Sequence, residues 1–104
     1  MNKIITDFKK SLMELNEVKE YNALALEVKE NSFLKNTEIK LKEYQIQMVH
    51  LLNDKKEKEY EEVKSLYLTL KKEYDSYPLY VNYLQAKERV NDLLKEISNI
   101  INNL

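Results

Sequence analysis

The feature that most restricts the fold of this 104-residue chain is the complete absence of glycine. Glycine supplies the positive φ angles on which tight hairpins, phosphate-binding loops and nucleophile turns depend. A P-loop, a dinucleotide-binding fingerprint and a nucleophile elbow are therefore excluded in their usual forms. Proline, the other strong breaker of regular structure, occurs once. The chain is therefore expected to consist of regular structure with few interruptions.

The balance of apolar and charged residues is typical of a folded helical domain. Hydrophobic residues make up 43% of the chain and charged residues 34%, a combination that disfavours disorder. The length fits a single domain over 1–104. No apolar run is long enough to span a membrane, and no apolar block near Met1 resembles a signal peptide. A cytoplasmic location without membrane insertion is expected.

Apolar residues spaced by three and four predict helices along the whole chain, and no segment alternates as strands do. The first helix covers about 3–15, and a break or kink is expected at Asn16, where the phase of the pattern changes. Asn31 or Ser32 is placed to cap the next long helix, which extends to about Leu52. Additional apolar residues widen the apolar surface of that helix beyond one stripe, so the helix must be covered on more than one side. They are Ile39, Ile46 and Val49.

Beyond a charged connection, the next helix has apolar residues at strictly alternating spacings of three and four. This heptad seam is typical of a helix that packs against another helix at a shallow angle. The residues of this seam that we assign to an interface are Tyr60, Val63, Tyr67 and Leu70. Ser76 is a capping residue, and Pro78 occupies the first turn of the following helix, where its missing N–H costs least. We assign Ser76 and Pro78 to the turn between the two helices.

The final helix is predicted to run from Pro78 to Leu104, a length of roughly 38 Å at ~1.5 Å per residue. Its residues assigned to an interface are Tyr83, Val90, Leu94, Ile97 and Ile101. A helix this long in so short a chain exposes its seam unless another copy covers it. The predicted fold is all-α: an elongated helical hairpin or bundle of four to five helices with a long C-terminal helix. It is expected to form a dimer or higher oligomer through its apolar seams.

The patterns that carry catalytic or metal chemistry are incomplete. Cysteine is absent, which excludes disulfides and thiol redox chemistry by this chain. His50 is the only histidine, and Gln47 stands where a Glu-x-x-His metal motif requires glutamate. The carboxylates lie among lysines, and no serine has a positioned base. The sequence therefore predicts no enzyme, no metal site and no cofactor.

Two stretches of the chain carry a family resemblance. Residues 78–97 read PLYVNYLQAKERVNDLLKEI, with the frame Tyr83-Leu84, Ala86, Val90-Asn91, Leu93-Leu94 and Ile97 after the proline. Upstream, EVKEYNALALEVKENSFLKNTEIKLKEYQIQM contains the pair Tyr44-Gln45 near the end of a capped helix. Together they resemble the YlbF/YmcA family of small all-helical bacterial regulators, over about residues 12–104.

The resemblance implies a non-enzymatic protein that dimerises through long helices and acts in competence, sporulation or biofilm formation. Some members act with each other and with the protein YaaT on mRNA processing by the membrane-anchored ribonuclease Y. Some of these complexes hold iron–sulfur clusters through cysteines, which this chain lacks, so a cluster-bearing role is in doubt. Besides a second copy of itself, a paralogous helical protein of the same family is the expected partner.

Three functions remain open at this point. The leading one is a cytoplasmic adaptor whose helical faces bind a paralogue and adjust RNA processing or developmental regulation. The alternative is a homo-oligomeric structural or assembly bundle without a regulatory client. The third is direct nucleic-acid binding, which a net charge of −1 and a single arginine disfavour. The lysines available for it are Lys35, Lys40, Lys42, Lys55, Lys56 and Lys58.

Overall fold

The chain is described by a computed structural model over residues 2–103, and these residues form five α-helices without a strand. The helices are α1 (Asn2–Met13), α2 (Asn16–Glu30), α3 (Ser32–Asn53), α4 (Glu57–Asp75) and α5 (Pro78–Asn102). The predicted all-α class with a long C-terminal helix is confirmed. Leu104, which the predicted final helix included, lies outside the described residues. Dimerisation stays a prediction.

The helices divide between two units. One comprises Met1–Glu27 and Asn82–Leu104, and the other comprises Val28–Val81. The first unit therefore contains α1, most of α2 and most of α5. The second contains all of α3 and α4, together with the last residues of α2 and the first residues of α5.

The predicted interruptions of the helices lie where nearby polar groups can form hydrogen bonds with the backbone groups at the helix ends. Helix α1 ends at Met13 and α2 begins at Asn16, so the break expected there is confirmed. At the start of α3, the Leu34 N–H donates to the side-chain oxygen of Asn31 at 2.9 Å. Asn31, rather than Ser32, is therefore the N-cap. Its amide nitrogen also donates to the Tyr77 hydroxyl at 3.3 Å, which ties the start of α3 to the turn between α4 and α5.

In the second unit, α3 and α4 pack against each other along their seams. The buried residues of α3 are Leu34, Thr37 and Leu41, and the seam continues through the half-buried Tyr44, Met48 and Leu51. Gln45 donates from its amide nitrogen to the Tyr67 hydroxyl at 3.1 Å, across the two helices. Among residues 2–103, the buried apolar side chains are few. They are Val18, Leu34, Leu41 and Ala86.

The turn between α3 and α4 contains Lys55 at φ 57°, a left-handed conformation that usually requires glycine. The Lys55 N–H donates to the Leu52 carbonyl at 3.1 Å, and the Lys56 N–H donates to the Leu51 carbonyl at 2.9 Å. These are the two hydrogen bonds of a Schellman motif, which closes the end of a helix. The chain makes this turn with lysine because the two bonds hold the strained residue in place.

Lys55→Gly is therefore expected to stabilise the protein by roughly 0.5–1 kcal/mol, because glycine adopts a positive φ without steric strain. The measurement is the urea midpoint of unfolding. The control is Lys56→Gly, since Lys56 has φ −94° and glycine there adds only flexibility to the unfolded chain. An equal effect of the two substitutions would contradict the assignment of strain to Lys55.

Tyrosines pack around the turn between α4 and α5. The ring centroids of Tyr74 and Tyr80 are 4.5 Å apart, and those of Phe33 and Tyr77 are 4.7 Å apart. The Ser76 hydroxyl donates to the Lys72 carbonyl at 2.7 Å, so Ser76 closes the end of α4. Pro78 is the first residue of α5. Aromatic contacts across the turn, rather than glycine, set the path of the chain here.

This packing predicts a loss of stability at alkaline pH. Partial burial, followed by the neighbouring Tyr80, raises the pKa of Tyr74 above its ordinary value of 10.0. A raised folded-state pKa contributes stability that is present below about pH 10 and lost as the pH rises through the folded value. Tyr74→Phe should therefore show a shallower decline of the unfolding midpoint between about pH 9 and about pH 11 than the wild type. Equal declines of the unfolding midpoint in the variant and the wild type would show that Tyr74 does not contribute to the alkaline loss of stability.

Candidate functional site

The outer face of α3, formed by Ile39, Ile46 and Val49, is an exposed apolar surface of the second unit. Ile39 and Ile46 each follow a buried leucine by five residues, which places them about 140° around the helix from the α4-facing seam. The exposed fractions of their side chains are 54% for Ile39, 59% for Ile46 and 57% for Val49. Helix α3 thus keeps a second apolar side that α4 does not cover.

Polar groups border this face, and two of the lysines on α3 are paired with glutamates. Lys42 forms an ion pair with Glu38 at 3.6 Å, and Lys40 forms one with Glu43 at 3.8 Å. A shallow depression on the same side of α3 is lined by Lys42, Gln45, Ile46, Val49 and His50. An apolar centre with a polar rim is the usual composition of a protein–protein interface. The ion pairs also reduce the positive charge that nucleic-acid binding by these lysines would need.

The four α4 residues that the sequence assigned to an interface lie along one side of α4 and are half-buried. They are Tyr60, Val63, Tyr67 and Leu70. The Tyr67 hydroxyl accepts its hydrogen bond from Gln45 of α3, so this seam packs against α3 of the same chain. The seam is therefore an internal contact of the hairpin formed by α3 and α4.

The five α5 residues assigned to an interface belong to the other unit. Tyr83 stacks on Tyr21 of α2, with ring centroids 5.6 Å apart, and Val90 and Ile97 are half-buried. Leu94 and Ile101 remain exposed. Arg89 and Glu20 form an ion pair at 3.2 Å, which adds a second link between α5 and α2. Tyr83 and Arg89, in the first half of α5, thus contact α2. The last turns of α5 expose apolar side chains.

Helix α1 carries an apolar face that the interface assignment omitted. Ile4, Ile5 and Phe8 are exposed, and no residue of α1 is buried. The signal was present in the sequence, because Ile5, Phe8 and Leu12 follow three-and-four spacing. The outer face of α3 was likewise recognised as needing cover but not assigned. Both surfaces are candidates for protein binding.

Groups for metal chemistry are not assembled in the part of the chain that the structure describes. Over residues 2–103, no three His, Cys, Asp or Glu side chains are grouped to hold a metal ion. His50 is exposed in the last turn of α3. Over the same residues, every helix is too short or too polar to cross a bilayer.

Comparison with known proteins identifies the family. A family model described as control of the competence regulator ComK, YlbF/YmcA, matches residues 3–104. The chain belongs to the YlbF/YmcA family. The resemblance drawn from the sequence is thereby confirmed, and the match extends through α1. No curated protein matches the chain.

The description of the YlbF/YmcA family names control of the competence regulator ComK. A regulatory role is therefore the general class of its function. Since the match covers residues 3–104, α1 and the outer face of α3 both belong to the family's domain.

Proposed function

We propose that this YlbF/YmcA-family protein is a non-enzymatic regulatory adaptor that acts by binding other helical proteins. Its partners are a second copy of itself and a paralogous protein of the same family, and it acts in the cytoplasm. The processes it adjusts are mRNA processing by ribonuclease Y or developmental regulation such as competence. The family match supports the regulatory part of this proposal.

The observation that carries the adaptor mechanism is the outer face of α3. A helix that buries one seam in its own chain and exposes a second apolar face suits the binding of an amphipathic helix along its length. The two isoleucines of this face lie seven residues apart, which matches the repeat of such a partner. The two ion pairs of α3 reduce the net positive charge near this face, which limits electrostatic repulsion of a basic partner helix.

The test uses Ile46→Asp in the full-length chain, co-expressed with each of the host's other YlbF/YmcA-family proteins. A buried unpaired carboxylate is strongly unfavourable in an apolar interface, so recovery of the paralogue should fall by at least about 10-fold. The fold should change little, because Ile46 is exposed in the free chain. Circular dichroism checks the helix content of the variant.

The matched control is Leu68→Asp, the same change in charge at an exposed apolar residue of α4. It should leave paralogue recovery unchanged. In the host, cells that carry only the Ile46→Asp variant should show the same change in transcript 5′ ends as a deletion strain. Full recovery of the paralogue by Ile46→Asp, with unchanged transcripts, would overturn the proposal. Such a result would favour the alternative, a homo-oligomeric structural bundle.

A further inference from the structure

We infer that α1 binds the surface of an anionic lipid bilayer and lies in the interface with its apolar face toward the acyl chains. This binding goes beyond the proposed function and does not depend on it, because α1 and the outer face of α3 belong to different units. Three features of α1 support it. They are the separation of its apolar and polar residues, the exposure of its apolar side chains and the charge of its lysines.

The large apolar residues of α1, apart from Met13, lie on one side of the helix. At about 3.6 residues per turn, they fall within a sector of about 100° around the helix axis. They are Ile4, Ile5, Phe8 and Leu12. Ser11 borders this sector beside Ile4, and Lys9 borders it beside Ile5. Apolar and polar residues are separated more sharply in α1 than in α2, α3, α4 or α5. Such separation, combined with low overall hydrophobicity, is typical of a helix that lies in a membrane interface.

The apolar face of α1 is largely uncovered within the chain. The exposed fractions of its side chains are 72% for Ile4, 54% for Ile5 and 45% for Phe8. Leu12 is half-buried, and every other residue of α1 is exposed. The helix is roughly 18 Å long, too short to cross a hydrocarbon core of about 30 Å. An exposed amphipathic helix of this length therefore lies along a bilayer surface and inserts only its apolar side chains.

The charge of α1 is complementary to an anionic surface. Its three lysines outnumber its single acid, Asp7, which gives α1 a net charge of +2 in a chain whose net charge is −1. Lys3 and Lys10 lie opposite the apolar sector, whereas Lys9 lies at its edge. From that edge the long side chain of Lys9 can reach the lipid phosphates while its methylene groups stay in apolar surroundings. Each lysine close to an anionic surface strengthens binding roughly fivefold.

The lysines of α1 differ from those beside the outer face of α3. Lys40 and Lys42 of α3 are paired with glutamates. Among residues 2–103, none of the three lysines of α1 forms an ion pair. Unpaired lysines keep their full charge for lipid headgroups. This difference in charge favours a lipid surface as the occupant of α1 and a protein as the occupant of the outer face of α3.

The absence of tryptophan allows a direct test in the full chain, since one introduced indole reports on one known position. The Phe8→Trp variant is mixed with phosphatidylcholine vesicles that contain about one third phosphatidylglycerol, and its fluorescence emission is recorded. A shift to shorter wavelength is expected, because the indole ring leaves water for the bilayer interface. Vesicles of phosphatidylcholine alone should give little shift. The control is Leu68→Trp, at an exposed residue of α4, whose emission should stay unchanged with both kinds of vesicle.

Vesicle flotation measures the contributions of the apolar and the basic residues separately. The wild type should float with the phosphatidylglycerol vesicles and should be released as salt is added. Phe8→Gln should lower the partition coefficient by at least about 10-fold, and so should the double variant Lys9→Gln with Lys10→Gln. The matched control, Lys56→Gln with Lys58→Gln, removes the same charge at the start of α4 and should change the coefficient by less than about 2-fold. Circular dichroism checks that each variant keeps its helix content.

Absence of vesicle binding by the wild type, or an equal loss in the α1 and α4 lysine variants, would overturn the inference. If α1 instead covers a protein surface, Phe8→Gln lowers the mass by light scattering or the recovery of the paralogue, while the wild type does not bind vesicles. That outcome also overturns the inference. Ile46→Asp should leave vesicle binding unchanged, so a failure of lipid binding and a failure of the proposed function are distinguishable.

Discussion

Leu34→Ala is expected to lower the free energy of unfolding by about 2–5 kcal/mol. Leu34 is only 1% exposed and is the one fully buried large side chain among residues 2–103. It lies in the first turn of α3, where Asn31 caps the helix. Truncation removes apolar contacts and leaves a cavity that the ends of two helices cannot easily close. The large effect therefore follows from the position of Leu34 at the centre of a small core.

Chemical denaturation of the full chain measures this loss, and Leu68→Ala is the matched control. Leu68 undergoes the same chemical change on α4, but its side chain is 54% exposed. Its substitution should change the free energy of unfolding by less than about 1 kcal/mol. Similar losses for the two variants would show that Leu34 does not anchor the packing of the second unit.

The second large effect is expected for Ala86→Asp, which should lower the stability by about 3–5 kcal/mol. Ala86 is 1% exposed on α5, one turn after the ring of Tyr83 that stacks on Tyr21. Because the Ala86 methyl group is almost fully enclosed, a larger side chain does not fit there without displacing its neighbours. A carboxylate at this position also loses its hydration. The aspartate must either remain charged without water or push the helix away from its neighbours.

Ala23→Asp provides the control for this substitution, because Ala23 lies on an exposed side of α2. It should change stability mainly through the lower helix propensity of aspartate, by less than about 1 kcal/mol. Leu34 and Ala86 also belong to different units. A single domain over 1–104 predicts that both variants shift one common unfolding transition. Separate transitions for the two units would contradict that prediction.

Much of the local structure could be predicted from the sequence because the signals are carried by neighbouring residues. Asn31 caps α3 through a bond to Leu34, three residues away, and Pro78 starts α5 because its ring fixes φ and removes one donor. Lys55 is the informative exception, since the absence of glycine argued against a positive φ. The hydrogen bonds that the Lys55 and Lys56 N–H groups donate to the last turn of α3 stabilise that conformation.

The candidate surfaces could be predicted only in part. The spacing of Tyr60, Val63, Tyr67 and Leu70 identified a seam, but the same spacing fits a partner helix from the same chain or from another. The structure shows that α3 occupies this seam. It leaves the outer face of α3 and the apolar face of α1 exposed. Neither surface was among the assigned residues, although both contain the periodic signal.

The sequence by itself therefore determined the helices, the Asn31 cap of α3 and the family, because helix formation depends on contacts between residues three or four positions apart. Only the tertiary structure decided which apolar faces the chain covers internally. That choice depends on pairing between residues far apart in the chain, such as Gln45 with Tyr67 and Tyr21 with Tyr83. Periodicity shows that a face needs a partner but does not say which one, since apolar contact is not directional.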